Sequence, residues 1–181
     1  MQELIRRAKE LLADGTVARV LGWKAGDMPW NPEPAFFENE EELKDFVYDG
    51  FCGANLSKMM IEASKLDGKT LVCLKPCDTY SFNQLLSEHR VDREKAYIVG
   101  VGCKGKLDIE KIRSIGIRGI RKIEGASLED AADTLKFETA SGEKTCAYAD
   151  AMLGRCHVCK GKEHQIYDEL IGESKDTKDQ E

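Results

Sequence analysis

The sequence predicts an α/β protein: a small mixed sheet with parallel βαβ units flanked by helices. Three observations carry this. Short apolar runs recur at Lys69–Leu74, Ala96–Val101 and Ile117–Ile123, each of strand length. Amphipathic helical segments separate them, over Thr79–His89 and after Asp108. Strands that alternate with helices of this size pair in parallel, because the return path needs a crossover of about a dozen residues.

The elements follow in order. Gln2–Asp14 has Leu4, Ile5, Ala8, Leu11 and Leu12 at helical spacing, and Gly15 ends it. Thr16–Trp23 reads as a strand. Lys24–Pro34 holds three of the four prolines and must be loop or extended chain. Asn39 is placed to cap a short acidic helix ending at Phe46. Asp49–Gly53 is a turn. Leu56, Met59, Met60, Ala63 and Leu66 form one face of a helix over Asn55–Leu66, where core packing explains the methionines. After LVCL, the residues KPCD break the chain before a helix from Thr79. After AYIVGV comes the break GCKGK. Asp108 caps IEKIRSI, and Gly116 closes that helix. Leu128–Leu135 is a short helix or loop, and Leu135–Ala147 a hairpin with SGEK as its turn. A helix is expected to run on through Ile171.

Composition bounds the function classes. At 181 residues, 41% hydrophobic and 33% charged, the chain suits one globular domain. We place that domain at 1–172, with residues 1–15 as its N-terminal helix, and a charged, disordered tail at 173–181. No apolar run reaches the ~18 residues of a membrane span, and MQELIRRAKELL is no export signal. A cytoplasmic location is expected. The net charge of −6 speaks against nucleic acid as the main partner.

Seven cysteines in such a chain point to ligands or redox thiols, not to a disulfide framework. Cys156 and Cys159 form C-x-x-C, whose tight turn brings two sulfurs to one side. Cys77 and Cys103 each follow a buried strand, in LVCLKPC and YIVGVGC. The C-terminal edge of parallel strands is where sites assemble. Lys75, Lys104, Lys160 and Lys162 flank these segments, where positive charge would lower thiolate pKa values and offset an anionic centre. Four thiolates suit a [4Fe–4S] cluster or a zinc ion alike. The single C-x-x-C leans to iron–sulfur, since zinc ribbons pair two. Cys73 reads as a core residue and Cys146 has no partner at ligand spacing. Cys52 is a candidate fifth thiol near the site. His89, His157 and His164 read as surface residues. No Ser/His/Asp order or complete phosphate-loop fingerprint is present.

The segments PEPAFFENEEELKDF, GANLSKMM, LVCLKPCDTYSFNQL, IVGVGCKGKLDIEKI and CHVCKGKEHQIYDELIGE resemble the coenzyme F420 hydrogenase/dehydrogenase beta-subunit family, an iron–sulfur flavoprotein family. The resemblance spans Thr16 to Gly172. It implies that Cys77, Cys103, Cys156 and Cys159 hold one [4Fe–4S] cluster; from their places beside these cysteines at the strand C-terminal edge, Lys75, Lys104 and Lys160 are the candidate cofactor-binding lysines. It also implies electron exchange among F420, FAD, [4Fe–4S] centres and a partner oxidoreductase in anaerobic metabolism. Two departures stand out: the D-G-G segment is missing at the N-terminus, and the glycine-rich stretch that follows C-x-x-C is absent. The expectation is therefore a short form without the usual C-terminal extension. It would transfer electrons as a subunit or partner of a larger hydrogenase or dehydrogenase, with ferredoxin or a flavoprotein as further partners. The alternatives are a flavin-containing F420 oxidoreductase beta subunit and a zinc-stabilised structural protein.

Overall fold

Strands β1 (Arg19–Lys24), β4 (Thr70–Leu74), β5 (Ala96–Val101) and β9 (Glu169–Ile171) lie side by side in parallel at the heart of the larger sheet. β2 (Glu33–Phe37) and β3 (Phe46–Val47) add to β1 antiparallel, so the sheet is mixed. The computed structural model describes residues 1–130 and 133–172. The expected tail at 173–181 lies outside the described residues.

Burial explains the parallel pairing. Every residue of β4 is buried, as are five of the six in β5. Their unbroken apolar sequences suit strands covered on both faces. Helix α1 (Gln2–Ala13) buries Leu4, Ala8 and Leu11, and α3 (Pro76–Ser87) buries Phe82 and Leu85. α1 is tied to the far edge of the sheet, where the Arg7 guanidinium forms an ion pair with Glu169 of β9. Between β3 and β4 a 3-10 turn, Leu56–Met59, runs into the short α2 (Met60–Ala63). Asn55 caps it by accepting the Ser57 amide, and Asn39 accepts the Glu42 amide ahead of a 3-10 turn.

Ile117–Ile123 does not supply the expected third parallel strand. Its residues form β6 (Ile120–Glu124), which pairs antiparallel with β7 (Thr134–Thr139) in a second sheet completed by β8 (Gly142–Ala147). Arg121, Lys122 and Glu124 are exposed there, and a strand buried on both faces has no place for them. β9 takes the position beside β5 instead. The expected C-terminal helix is correspondingly absent: two four-residue helices, α5 (Tyr148–Ala151) and α6 (Gly154–His157), lead through loops to β9.

Smaller differences have local causes. α3 starts at Pro76, not Thr79, because proline is pre-shaped for the first helical position and gives up only an N–H the helix cannot use. The hairpin loop is Ala140–Ser141, with β8 resuming at Gly142. Of the stretch 128–135, residues 131 and 132 lie outside the described residues. α4 (Ile109–Ser114) is capped by Asp108 and followed by Gly116 at φ +87°, as the sequence predicts. Ile112, Leu135, Phe137 and Tyr148 form the core between α4, α5 and the second sheet.

Candidate functional site

The chain turns sharply where β4 and β5 end, and both turns open onto one cleft of about 500 Å³. Cys77, Cys103, Cys156 and Cys159 all line it. Cys77 is the second residue of α3, one turn past the end of β4, with part of the residue open to solvent while its thiol is desolvated in the cleft. Cys103 follows β5 directly. The other two arrive on the arm that carries α6.

Hydrogen bonds hold that arm to the β5 turn. Leu107 and Met152 form an antiparallel bridge, and the Leu153 amide donates to the Lys106 carbonyl at 2.7 Å. The Tyr148 hydroxyl donates to the Gly105 carbonyl at 2.9 Å. Gly105 sits at φ +102°, and a Cβ there would lie 2.2 Å from Met152 Sδ. Only glycine allows both the backbone conformation and the close approach. The Lys106 amide then donates to Cys156 Sγ at 3.4 Å, the type of N–H···S bond that stabilises a thiolate. At its other end the arm reaches α3: a Cβ on Gly161 would lie 3.8 Å from Cys77 Cβ. C-x-x-C thus spans the two strand-end cysteines.

Lysines form the floor. Lys75, Lys104 and Lys106 line the cleft yet are only 2%, 7% and 5% exposed. Each ammonium lies over an aromatic ring: Lys75 over Trp23 at 4.8 Å, Lys104 over Tyr148 at 4.4 Å, and Lys106 over Tyr48 at 4.3 Å. Each also donates to a backbone carbonyl, of Ala54, Gly125 and Asp49 respectively. Asp78 is the one carboxylate in the described cleft wall, 2.7 Å from Lys75 Nζ. Burial lowers the Lys106 pKa. Burial also pushes the Cys77 thiol up to about 12; the Asp78 charge adds to this and Lys75 only partly offsets it. The lysine effect expected for the thiols is therefore outweighed at Cys77 by desolvation.

The predicted residues divide as follows. The four cysteines, Lys75 and Lys104 share the cleft, and so does Lys162. Lys160 is exposed and is not part of the wall. Lys106, Arg155 and Asp78 were not singled out from the sequence; alternating lysines around Gly105 in GCKGK were the available signal for Lys106. Cys52 and Cys73 are fully buried with thiols pushed up to about 12 by burial, and neither reaches the wall. His164 is half-buried, with Nε2 3.2 Å from the Leu74 carbonyl, not on the surface. Among the described residues no three His, Cys, Asp or Glu side chains gather closely enough to hold a single metal ion. No described helix is long and apolar enough to cross a membrane.

A polyanionic cofactor tests well against this wall. Five basic side chains face one carboxylate, three of the five are buried, and burying ammonium groups is costly unless negative charge compensates. A [4Fe–4S] core with four thiolates carries a charge of about −2. The donor set and its surroundings fit such a group.

No protein-family model matches the chain. Curated proteins do, among them the F420-dependent formate dehydrogenase subunit beta of Methanocaldococcus jannaschii, at 27% identity, and the F420-dependent formate dehydrogenase 1 subunit beta of Methanococcus maripaludis, at 28%. Each match covers 99 residues, 55% of this chain and 26% of the curated relative, so the matched segment spans about a quarter of those beta subunits. Over that part of its length this chain is similar to F420-dependent formate dehydrogenase beta subunits. A chain of the F420-reducing [NiFe] hydrogenase complex from Methanosarcina barkeri has a similar fold. It has a TM-score of 0.62 and 19% identity over 87% of this chain and 62% of that one.

Proposed function

We propose that this chain is an electron-transfer component of an F420-linked oxidoreductase complex, holding one [4Fe–4S] cluster through Cys77, Cys103, Cys156 and Cys159. The observation that carries the proposal is the meeting of four cysteines, from three separated segments, in one cleft floored by buried lysines. Kinship with the formate dehydrogenase beta subunits supports the oxidoreductase setting.

When bound, the cluster supplies one-electron redox chemistry. The chain's own residues do the rest. The Lys106 amide bonds to Cys156 Sγ. Lys75, Lys104 and Lys106 offset the added negative charge, and their aromatic partners keep the ammonium groups in place and shield them from water. Cys77 must lose a proton to ligate, and its raised pKa makes loading favour alkaline conditions.

Anaerobic purification with iron and sulfide analysis, and electron paramagnetic resonance after dithionite reduction, tests the reading. About four irons per chain are expected. Cys156→Ala should remove most of the iron, while Cys146→Ser should leave it in place. One zinc per chain, with no iron after reconstitution, would overturn the proposal.

A further inference from the structure

Behind the lysine floor stands a carboxylate that is not part of the cleft wall. Asp49 opens the turn 49–53, which packs tightly on the turn after β5. The Leu107 amide donates to the Gly50 carbonyl and the Gly50 amide to the Ala126 carbonyl, both at 2.8 Å. A Cβ at Gly50 would lie 2.6 Å from Leu107 Cδ1 and from the Tyr148 hydroxyl. Asp49 also bridges to Ser127. The Lys106 ammonium, in the cleft floor, donates to the main-chain carbonyl of Asp49 at 2.8 Å. The carboxylate itself has weaker partners: Oδ1 accepts the Phe51 amide at 2.8 Å and faces Cys52 Sγ at 3.6 Å. The titratable groups around it are Lys106 from the β5 turn, Tyr148 from α5 and Cys52 from its own turn. Burial pushes the Cys52 thiol up to about 12 and raises the Tyr148 hydroxyl as well, so both stay protonated near neutral pH. Asp49 is half-buried, within reach of solvent protons. Burial raises its pKa against the opposing pull of the Phe51 amide and Lys106.

We propose that Asp49 is the proton acceptor of the cleft: it takes up a proton when an electron enters and returns it when the electron leaves. The inference rests on the proposed function, since the electron would reside on the group that the four cysteines hold. The balance is one electron from an external one-electron donor and one proton from solvent onto a carboxylate oxygen, with no other bond made or broken. An added negative charge raises the pKa of a nearby carboxyl, and salt screens little across a buried path. Lys106 ties the two places together, because its ammonium lies over Tyr48 in the floor while bonded to Asp49. Uncompensated charge in a dry cleft is costly, and the proton removes that cost.

Two measurements test this. The first needs no iron: carbon-13 NMR titration of the unloaded full chain, labelled at aspartate carboxyls, should place Asp49 above the ordinary value of about 3.9. An ordinary or lower value would overturn the proposal whatever the cleft holds. The second is a potentiometric titration of the iron-loaded chain, read by electron paramagnetic resonance at several pH values. Between the Asp49 pKa values of the two redox states, reduction should become up to about tenfold less favourable per pH unit, about 59 mV for a one-electron couple. Asp49→Asn keeps an acceptor for the Phe51 amide and should remove this dependence. Redox-difference infrared spectra should show a protonated carboxyl on reduction of the unaltered chain and none in Asp49→Asn. A pH-independent potential, or a slope unchanged in Asp49→Asn, would overturn the proposal. Should that variant fail to fold, absence of the carboxyl band from the unaltered chain would do the same. A chain that takes up no iron overturns the proposed function and this inference with it, whereas bound iron with a flat potential overturns this inference alone.

Discussion

Lys75 and Asp78 bring opposite charges into the same dry position, each under 5% exposed along its side chain and 2.7 Å apart. Their one-turn spacing at the start of α3 makes the contact local, and Trp23 closes over the ammonium. A buried pair of this kind adds little compared with an apolar pair, but losing one partner strands the other charge. Asp78→Ala is expected to cost about 3–5 kcal/mol in urea unfolding, well beyond its few lost atoms. A cost below about 1 kcal/mol would mean that water reaches Lys75. The identities of these residues were visible in the sequence, but their burial was not. A lysine next to a turn is ordinarily solvated, and only the rings of Trp23, Tyr48 and Tyr148, distant in sequence, make a lodging for three of them.

β9 is the element on which the arm depends. It is three residues long, and Gly100 of β5 lets it and His164 pack close. A Cβ at Gly100 would lie 2.5 Å from Leu170 and 2.8 Å from the His164 ring. Gly100→Ala should therefore push the strand and ring aside, costing about 1–3 kcal/mol, with hydrogen exchange faster in 164–171 than in β4. Uniform exchange would show that the contact is slack. ELI carries no strand signal of its own, since three residues fall below any periodicity. The stretch after C-x-x-C, β9 included, reads as helix for that reason. Long-range pairing with β5 and the Arg7–Glu169 contact decide otherwise.

Across the whole molecule, His164 links the arm to the end of β4 through the Leu74 carbonyl. Burial holds its pKa below the ordinary value of about 6.5. As pH falls the unfolded chain therefore takes up the proton before the folded one does. Stability from the neutral ring is complete above about pH 6.5 and declines as pH drops toward the lower folded value. Urea midpoints measured between about pH 7.5 and 5 should fall, and His164→Gln should flatten the decline. An equal slope in that variant would assign the loss to other groups. The arm that brings C-x-x-C to the two strand ends is thus also sensitive to acid.

What the sequence by itself determined is local and nearest-neighbour. The apolar runs of β4 and β5 imposed buried parallel strands, the Asp108 and Asn39 caps set helical starts, and chain order put Cys77 and Cys103 just past two strand ends. Helical and strand periods register in a window of a few residues, so such features can be read directly. The tertiary structure alone decided which strand stands beside β5, that β6 belongs to another sheet, and that Lys106 joins Lys75 and Lys104 beneath the thiols. Those outcomes depend on contacts between residues tens of positions apart, where burial and charge are settled by what the rest of the chain leaves uncovered.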